Sequence, residues 1–190
     1  MNQEYFEDKN FEKIDFWNTV MTPWNYERCI FDRCNFSKTD ISRIHFSECE
    51  FRGCDMSMTK IIETEFMDAT FIDSKLLWLA FENCSSFLLS VSFDNCILDF
   101  SSFRGLKIKN TIFKNSNLHE VNFIETDLTG SCFMNCDLTR AIFEKSVLEN
   151  VDFRTSYNFI IDPEINKLKK AKFSLSGIPW LLYKYNISIQ

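Results

Sequence analysis

Glycine, proline and histidine are scarce, at 4 Gly, 3 Pro and 2 His in 190 residues. So little Gly leaves no Gly-rich phosphate loop, and there is no nucleophile elbow and no His-rich metal spacing. No uninterrupted apolar run approaches the ~20 residues of a membrane span. The segment 1–10 is acidic and lacks the apolar stretch of a signal peptide. Together these absences predict a cytoplasmic, non-enzymatic chain with no cofactor, no metal, no membrane contact and no catalytic constellation. What is abundant is phenylalanine, with 21 copies. An ordinary mixed α/β enzyme has no use for that many, whereas a chain built around one repeating apolar position does.

The net charge is −6 and uneven. From Asp162 onward Lys167, Lys169, Lys170, Lys172 and Lys184 outnumber Asp162 and Glu164, a balance of +3, so residues 1–161 carry −9. An anionic body argues against direct binding to nucleic acid, because phosphates are held by Lys and Arg.

Every fifth residue from Phe6 to Phe81 is large and apolar, sixteen without a miss: Phe6, Phe11, Phe16, Met21, Tyr26 and so on. The phase slips by two within 84–93 and resumes from Phe93 to Phe153. Helices and alternating strands do not give a period of five. Two residues before most of the large residues stands a small one, such as Cys29, Cys34, Thr59, Ser74, Ser101 or Ser131, with Asn or Asp often between them. The large and small residues are expected to point inward and the other three outward. A twenty-residue turn would stack Phe11, Phe31, Phe51 and Phe71, and likewise Phe93, Phe113, Phe133 and Phe153. The slip is a bulge or short loop at one corner, either a local defect or a projection.

This pattern resembles the pentapeptide-repeat family over 5–155. The resemblance implies an all-β fold, a right-handed quadrilateral parallel β-helix with four pentapeptides per coil and a short C-terminal α-helical cap. The expected domains are a β-helix over 1–157 and a cap and dimerisation segment over 158–190. The 29 repeat positions predict about seven coils, roughly 34 Å long at about 4.8 Å per coil. In the tail, Pro163 and the Lys run fit a chain leaving the helix. Residues 176–185 read as a short amphipathic helix with Ser176 as its cap and Pro179 in the first turn. The string from Ile161 to Leu175 is similar to the tail of the Qnr quinolone-resistance family and of its albicidin-resistance and microcin-immunity relatives. That resemblance implies a two-fold dimer through the tail, for which Ile178, Trp180, Leu181, Leu182 and Tyr185 are the candidate contacts. It also implies a partner, DNA gyrase or topoisomerase IV, protected by a protein that imitates duplex DNA. Many Qnr proteins carry larger projecting loops than the two residues available here, which favours a toxin-immunity relative or a simple gyrase binder.

Six of the eight cysteines occupy the small inward slot, and Cys84 fits it if the first phase runs on to Ser86, so packing explains them better than metal or disulfides. Cys132 points outward and is the candidate reactive thiol. His45 and His119 fall outward and read as solvated surface residues. The candidate carboxylates for a DNA-like surface are Glu63, Asp68, Asp73, Glu120, Glu125, Glu144 and Glu149, with Glu65 nearby. A second feature is apolar. Met58, Leu77 and Trp78 stand where polar side chains are expected, either as a partner contact or buried beneath the slip corner. They supply the alternative reading, a scaffold unrelated to topoisomerase; a redox role through Cys132 is a third.

Overall fold

The computed structural model describes residues 5–18, 21 and 25–187. The outermost residues of the two expected segments, 1–4 and 188–190, lie outside the described residues. The chain winds into a four-sided parallel β-solenoid in which residue n pairs with residue n + 20. On face 1, strands Tyr5–Glu7, Asn25–Glu27, His45–Ser47 and Glu65–Met67 pair in that order. Face 2 is a seven-stranded parallel sheet running from Asn10–Glu12 to Cys132–Met134. Faces 3 and 4 are joined by single bridges, such as Asp15 to Asn35 and Asp40 to Lys60.

Most corners turn at the second residue after the large one, with the backbone in the left-handed region. Asp8, Arg28, Met58, Trp78 and Glu120 all have φ between 48° and 59°. Only Gly adopts this region freely, and other residues pay about 1–2 kcal/mol there. The compensation is a bond between coils. The corner N–H of Trp78 donates to Asp99 O at 3.1 Å, and that of Lys38 donates to Ser57 O at 2.9 Å. Repeated at most corners, this bond makes a coil with almost no glycine possible.

The interior is a set of columns. On face 2, Phe11, Phe31, Phe51, Phe71, Phe93, Phe113, Phe133, Phe153 and Phe173 stack with ring centroids 4.7 to 5.3 Å apart. A second aromatic column lies on face 1 before the slip (Phe6, Tyr26, Phe46, Phe66), and another on face 4 from Phe81 onward (Phe81, Phe103, Phe123, Phe143). Rings of adjoining columns meet edge to face, as Phe93 and Phe103 do at 5.9 Å, the arrangement that the aromatic quadrupole favours.

The small slot does more than save space. Thr59 Oγ1 donates to Phe36 O at 2.7 Å, Thr126 Oγ1 to Phe103 O at 2.8 Å and Ser146 Oγ to Phe123 O at 2.7 Å. Cys29, Cys34, Cys49, Cys54 and Cys96 point their thiols at the equivalent carbonyls, Cys54 Sγ lying 3.2 Å from Phe31 O. A short donor here satisfies a carbonyl that the coil would otherwise bury without a partner.

Two expectations are corrected, and one left open between two forms takes the second of them. The Lys run does not leave the solenoid. Val147 bridges Lys167, Asp152 bridges Lys172, and Phe153 N donates to Lys172 O, so one further coil continues past residue 157 to Phe173. Asn166 fills its small slot, donating Nδ2 to Phe143 O at 2.8 Å. The terminal helix is only Ile178–Leu181, between tight turns at Leu175–Gly177 and Tyr183–Tyr185. Ser176 does not cap it: the helix starts after Gly177 with no side-chain cap, Ser174 caps the preceding turn by accepting from Gly177 N at 3.2 Å, and Pro179 does lie in the first turn of the helix. Finally, the slip resolves as a loop over 85–90. Cys84 keeps the small slot, Ser86 is exposed, and Leu89 packs against the core instead.

Candidate functional surfaces

With the large and small positions buried, chemistry is left to three outward columns per face. The seven candidate carboxylates do not form one stripe. Glu63, Glu125 and Glu144 lie on face 4, Asp68 and Glu149 on face 1, Asp73 on face 2 and Glu120 on face 3, a distribution fixed by the twenty-residue register.

Neighbouring coils partly neutralise them. Arg43 Nε lies 2.9 Å from Glu63 Oε2, Arg140 Nη1 3.1 Å from Glu120 Oε1, and Lys145 Nζ 3.9 Å from Glu125 Oε1. Asp73 accepts from Asn95 Nδ2 at 2.6 Å. Asp68, Glu144 and Glu149 have no ion pair among the described residues. Exposed pairs of this kind contribute about 0–1 kcal/mol each, so they shape the surface potential more than the stability.

The two histidines are not simply solvated. His45 Nδ1 sits 2.6 Å from Glu65 Oε2. His119 lies between Asp99 and Asp137, with Nδ1 3.5 Å from one carboxylate and Nε2 3.1 Å from the other. Among the described residues no group of His, Cys, Asp and Glu has the arrangement of a metal site. Cys132 is half-buried, and burial, with Asp152 next, raises its pKa. The outward register is therefore right, but the thiolate that reactivity requires is disfavoured. Burial raises Cys49, Cys84, Cys96 and Cys136 to about 12, consistent with packing.

Met58 and Trp78 do not lie under the slip corner. They are 53% and 54% exposed at the edge between faces 3 and 4, while Leu77 is half-buried beside them. The aromatic patch continues to Phe100, which the sequence reading did not include. Its ring stacks on Trp78 at 4.3 Å and 7°. Since Phe100 follows Trp78 by twenty residues plus the two of the slip, the register contained that neighbour.

At the C-terminal end, Ile178 and Trp180 are each 38% exposed. Leu181 and Leu182 are half-buried. Tyr185 is exposed, and its hydroxyl donates to Glu164 at 2.6 Å. Leu175, also outside the sequence-based set, is 93% exposed. Lys184 anchors the segment to the last coil through Asp162 and Glu164, both at 2.7 Å. No described helix is long and apolar enough to cross a membrane.

No curated protein sequence matches this chain significantly. Among solved structures, a trypsin-treated variant of QnrB1, described as a plasmid-mediated fluoroquinolone resistance protein, is similar over 98% of both chains, with a TM-score of 0.65 and 14% identity. A second trypsin-treated variant of the same protein gives a TM-score of 0.64 and 14% identity, over 98% of this chain and 97% of that one. At such identity the likeness is one of fold. The model of the pentapeptide repeat region matches residues 24–86 and 86–157, more than half of the sequence, and the chain belongs to the pentapeptide repeat family.

Proposed function

We propose that this protein is a non-enzymatic binding protein that engages a type II topoisomerase, DNA gyrase or topoisomerase IV, and protects it from quinolones or gyrase-directed toxins. The observation that carries this reading is the similarity to QnrB1 along the whole length of both chains, C-terminal segment included. Two features of the surface agree with it. The body is anionic, and Glu63, Glu125 and Glu144 share face 4, where on this reading carboxylates stand in for the phosphates of duplex DNA. The terminal segment leaves Leu175, Trp180, Tyr183 and Tyr185 exposed at the solenoid end, as a two-fold pairing through that end requires. Eight steps of about 4.8 Å give a rod of roughly 38 Å, and two rods end to end approach two turns of B-DNA.

The test is gyrase supercoiling with increasing amounts of this protein, with and without a fluoroquinolone or an albicidin-type poison. Restored supercoiling, or inhibition by the protein alone, is the expected result. No effect up to micromolar protein sinks the reading.

The stack of exposed Trp78 on half-buried Phe100, with Met58 beside it, favours a second reading, a scaffold that binds an apolar partner surface. Salt separates the two. Binding through carboxylates weakens steeply as ionic strength rises, and binding through the aromatic patch does not.

A further inference from the structure

Face 1 has two electrically opposite halves. Between Tyr5 and Asp68 it presents Glu7, Asp8, Glu27, Glu48, Glu65 and Asp68 against Arg28 alone. Beyond the 85–90 loop the face resumes at Lys107, bridged in turn to Asp127, Val147 and Lys167. That half offers Lys107, Lys109, Lys167, Lys169 and Lys170 against Asp127 and Glu149. The loop dividing them is apolar at its tip, with Phe87 71% and Leu88 59% exposed. Four rungs lie on either side of it.

We propose that face 1 is a self-association surface: a second copy seats on it antiparallel, about a two-fold axis lying across the face at the level of Phe87 and Leu88. Such an axis places each outward column over the same column of the other copy, with rungs equally distant from the loop facing one another. Glu65 then opposes Lys107, and His45 opposes Asp127. Glu7 opposes Lys169, and Asp8 opposes Lys170. Every match occurs twice, as an isologous interface demands. One opposition is unfavourable, Glu27 over Glu149, and Arg28 pairs with Glu27 at that rung. The apolar tips of the two loops meet at the axis, the desolvated centre that interfaces need, with the charges forming the rim. A face of nine rungs and five residues is about 38 by 16 Å, roughly 600 Å² per copy and close to the usual ~800 Å². Lys107, Lys169 and Lys170 have no ion pair among the described residues, so the second copy would supply their partners.

This association does not depend on the topoisomerase reading or on any pairing at the C-terminal end, although two of the candidate carboxylates, Asp68 and Glu149, lie on face 1. The test is the mass of the full chain by sedimentation or light scattering at low salt. The double variant Phe87→Asp, Leu88→Asp is expected to halve that mass, whatever the terminal segment contributes. Both side chains are exposed, so the fold is retained. A chain with Glu7→Lys, Asp8→Lys and Glu65→Lys, and another with Lys107→Glu, Lys169→Glu and Lys170→Glu, should each lose the association alone and regain it when mixed. A wild-type mass that the loop variant leaves unchanged overturns the proposal. So does failure of the two charge-reversed chains to pair when mixed.

Discussion

Trp78 and Phe100 lie face to face on the outside of the solenoid, their ring centroids 4.3 Å apart. Both stand at left-handed corners of successive coils, with φ of 59° and 63°, so the stack is imposed by the backbone as much as by the rings. An aromatic pair of this kind adds about 0.5–1.5 kcal/mol beyond its burial. Trp78→Ala is therefore expected to lower stability by about that much in a urea titration, with far-UV circular dichroism unchanged. If the patch binds a partner, the same variant loses binding by more than its stability loss explains.

The interior predicts a much larger effect. Phe113 is fully buried and stacked between Phe93 and Phe133 at 5.1 and 4.7 Å. Phe113→Ala removes both contacts and leaves a cavity, at a cost of about 3–5 kcal/mol. Phe11, in the first coil, is only partly buried and has one stacked neighbour. Phe11→Ala should cost distinctly less, and chemical denaturation of the two variants side by side measures the difference.

Thiol chemistry provides a third check. Seven cysteines are buried, and Cys132 is the half-buried exception. In native protein a maleimide is expected to modify Cys132 alone, and slowly, because burial and then Asp152 raise its pKa. In denaturant all eight react. Rapid native labelling of two or more thiols contradicts the packing described here.

The fourth concerns acid. Lys60 Nζ lies 2.8 Å from Asp40 Oδ2, and this bond, with help from Ser42, lowers the Asp40 pKa to about 2. A free Asp titrates near 3.9. The folded form therefore binds its proton less readily. The stabilisation is fully present above about pH 4 and is lost as pH falls through about 2. Since both side chains are more than half exposed, it amounts to less than about 1 kcal/mol. Replacing Lys60 with Met should move the Asp40 carboxyl titration, followed by NMR, up towards 3.9.

Most of the interior was legible in the sequence, because one chemical demand repeats: a large apolar side chain must fill each rung. The period of five, the inward cysteines and the n + 20 stacking of Phe11 on Phe31 all follow from it. The final coil was harder to read. Leu168 and Phe173 keep the phase, but Asn158 and Pro163 break it between them, and Asn166 does by hydrogen bonding what a small residue does elsewhere. The surface was the least legible part. Composition showed an excess of carboxylates, yet whether they form a stripe depends on the face each occupies and on the cation twenty residues away. Arg43 with Glu63, Lys60 with Asp40 and Arg140 with Glu120 are such pairs. They become readable only when the coil register is applied to the outward columns as well as the inward ones.

The two ends of the coil are chemically unlike, and this bears on growth. A parallel β-solenoid with bare rungs at both ends would template the next copy without limit, as fibrils do. Here the first strands, Tyr5–Glu7 and Asn10–Glu12, form the edges of their sheets beneath a fringe of Glu7, Asp8, Lys9, Glu12 and Lys13. The opposite edge is closed by the tail that Lys184 ties down. A stack of copies needs both ends free, and the tail covers one of them, so the molecule can be built like a filament segment without becoming a filament.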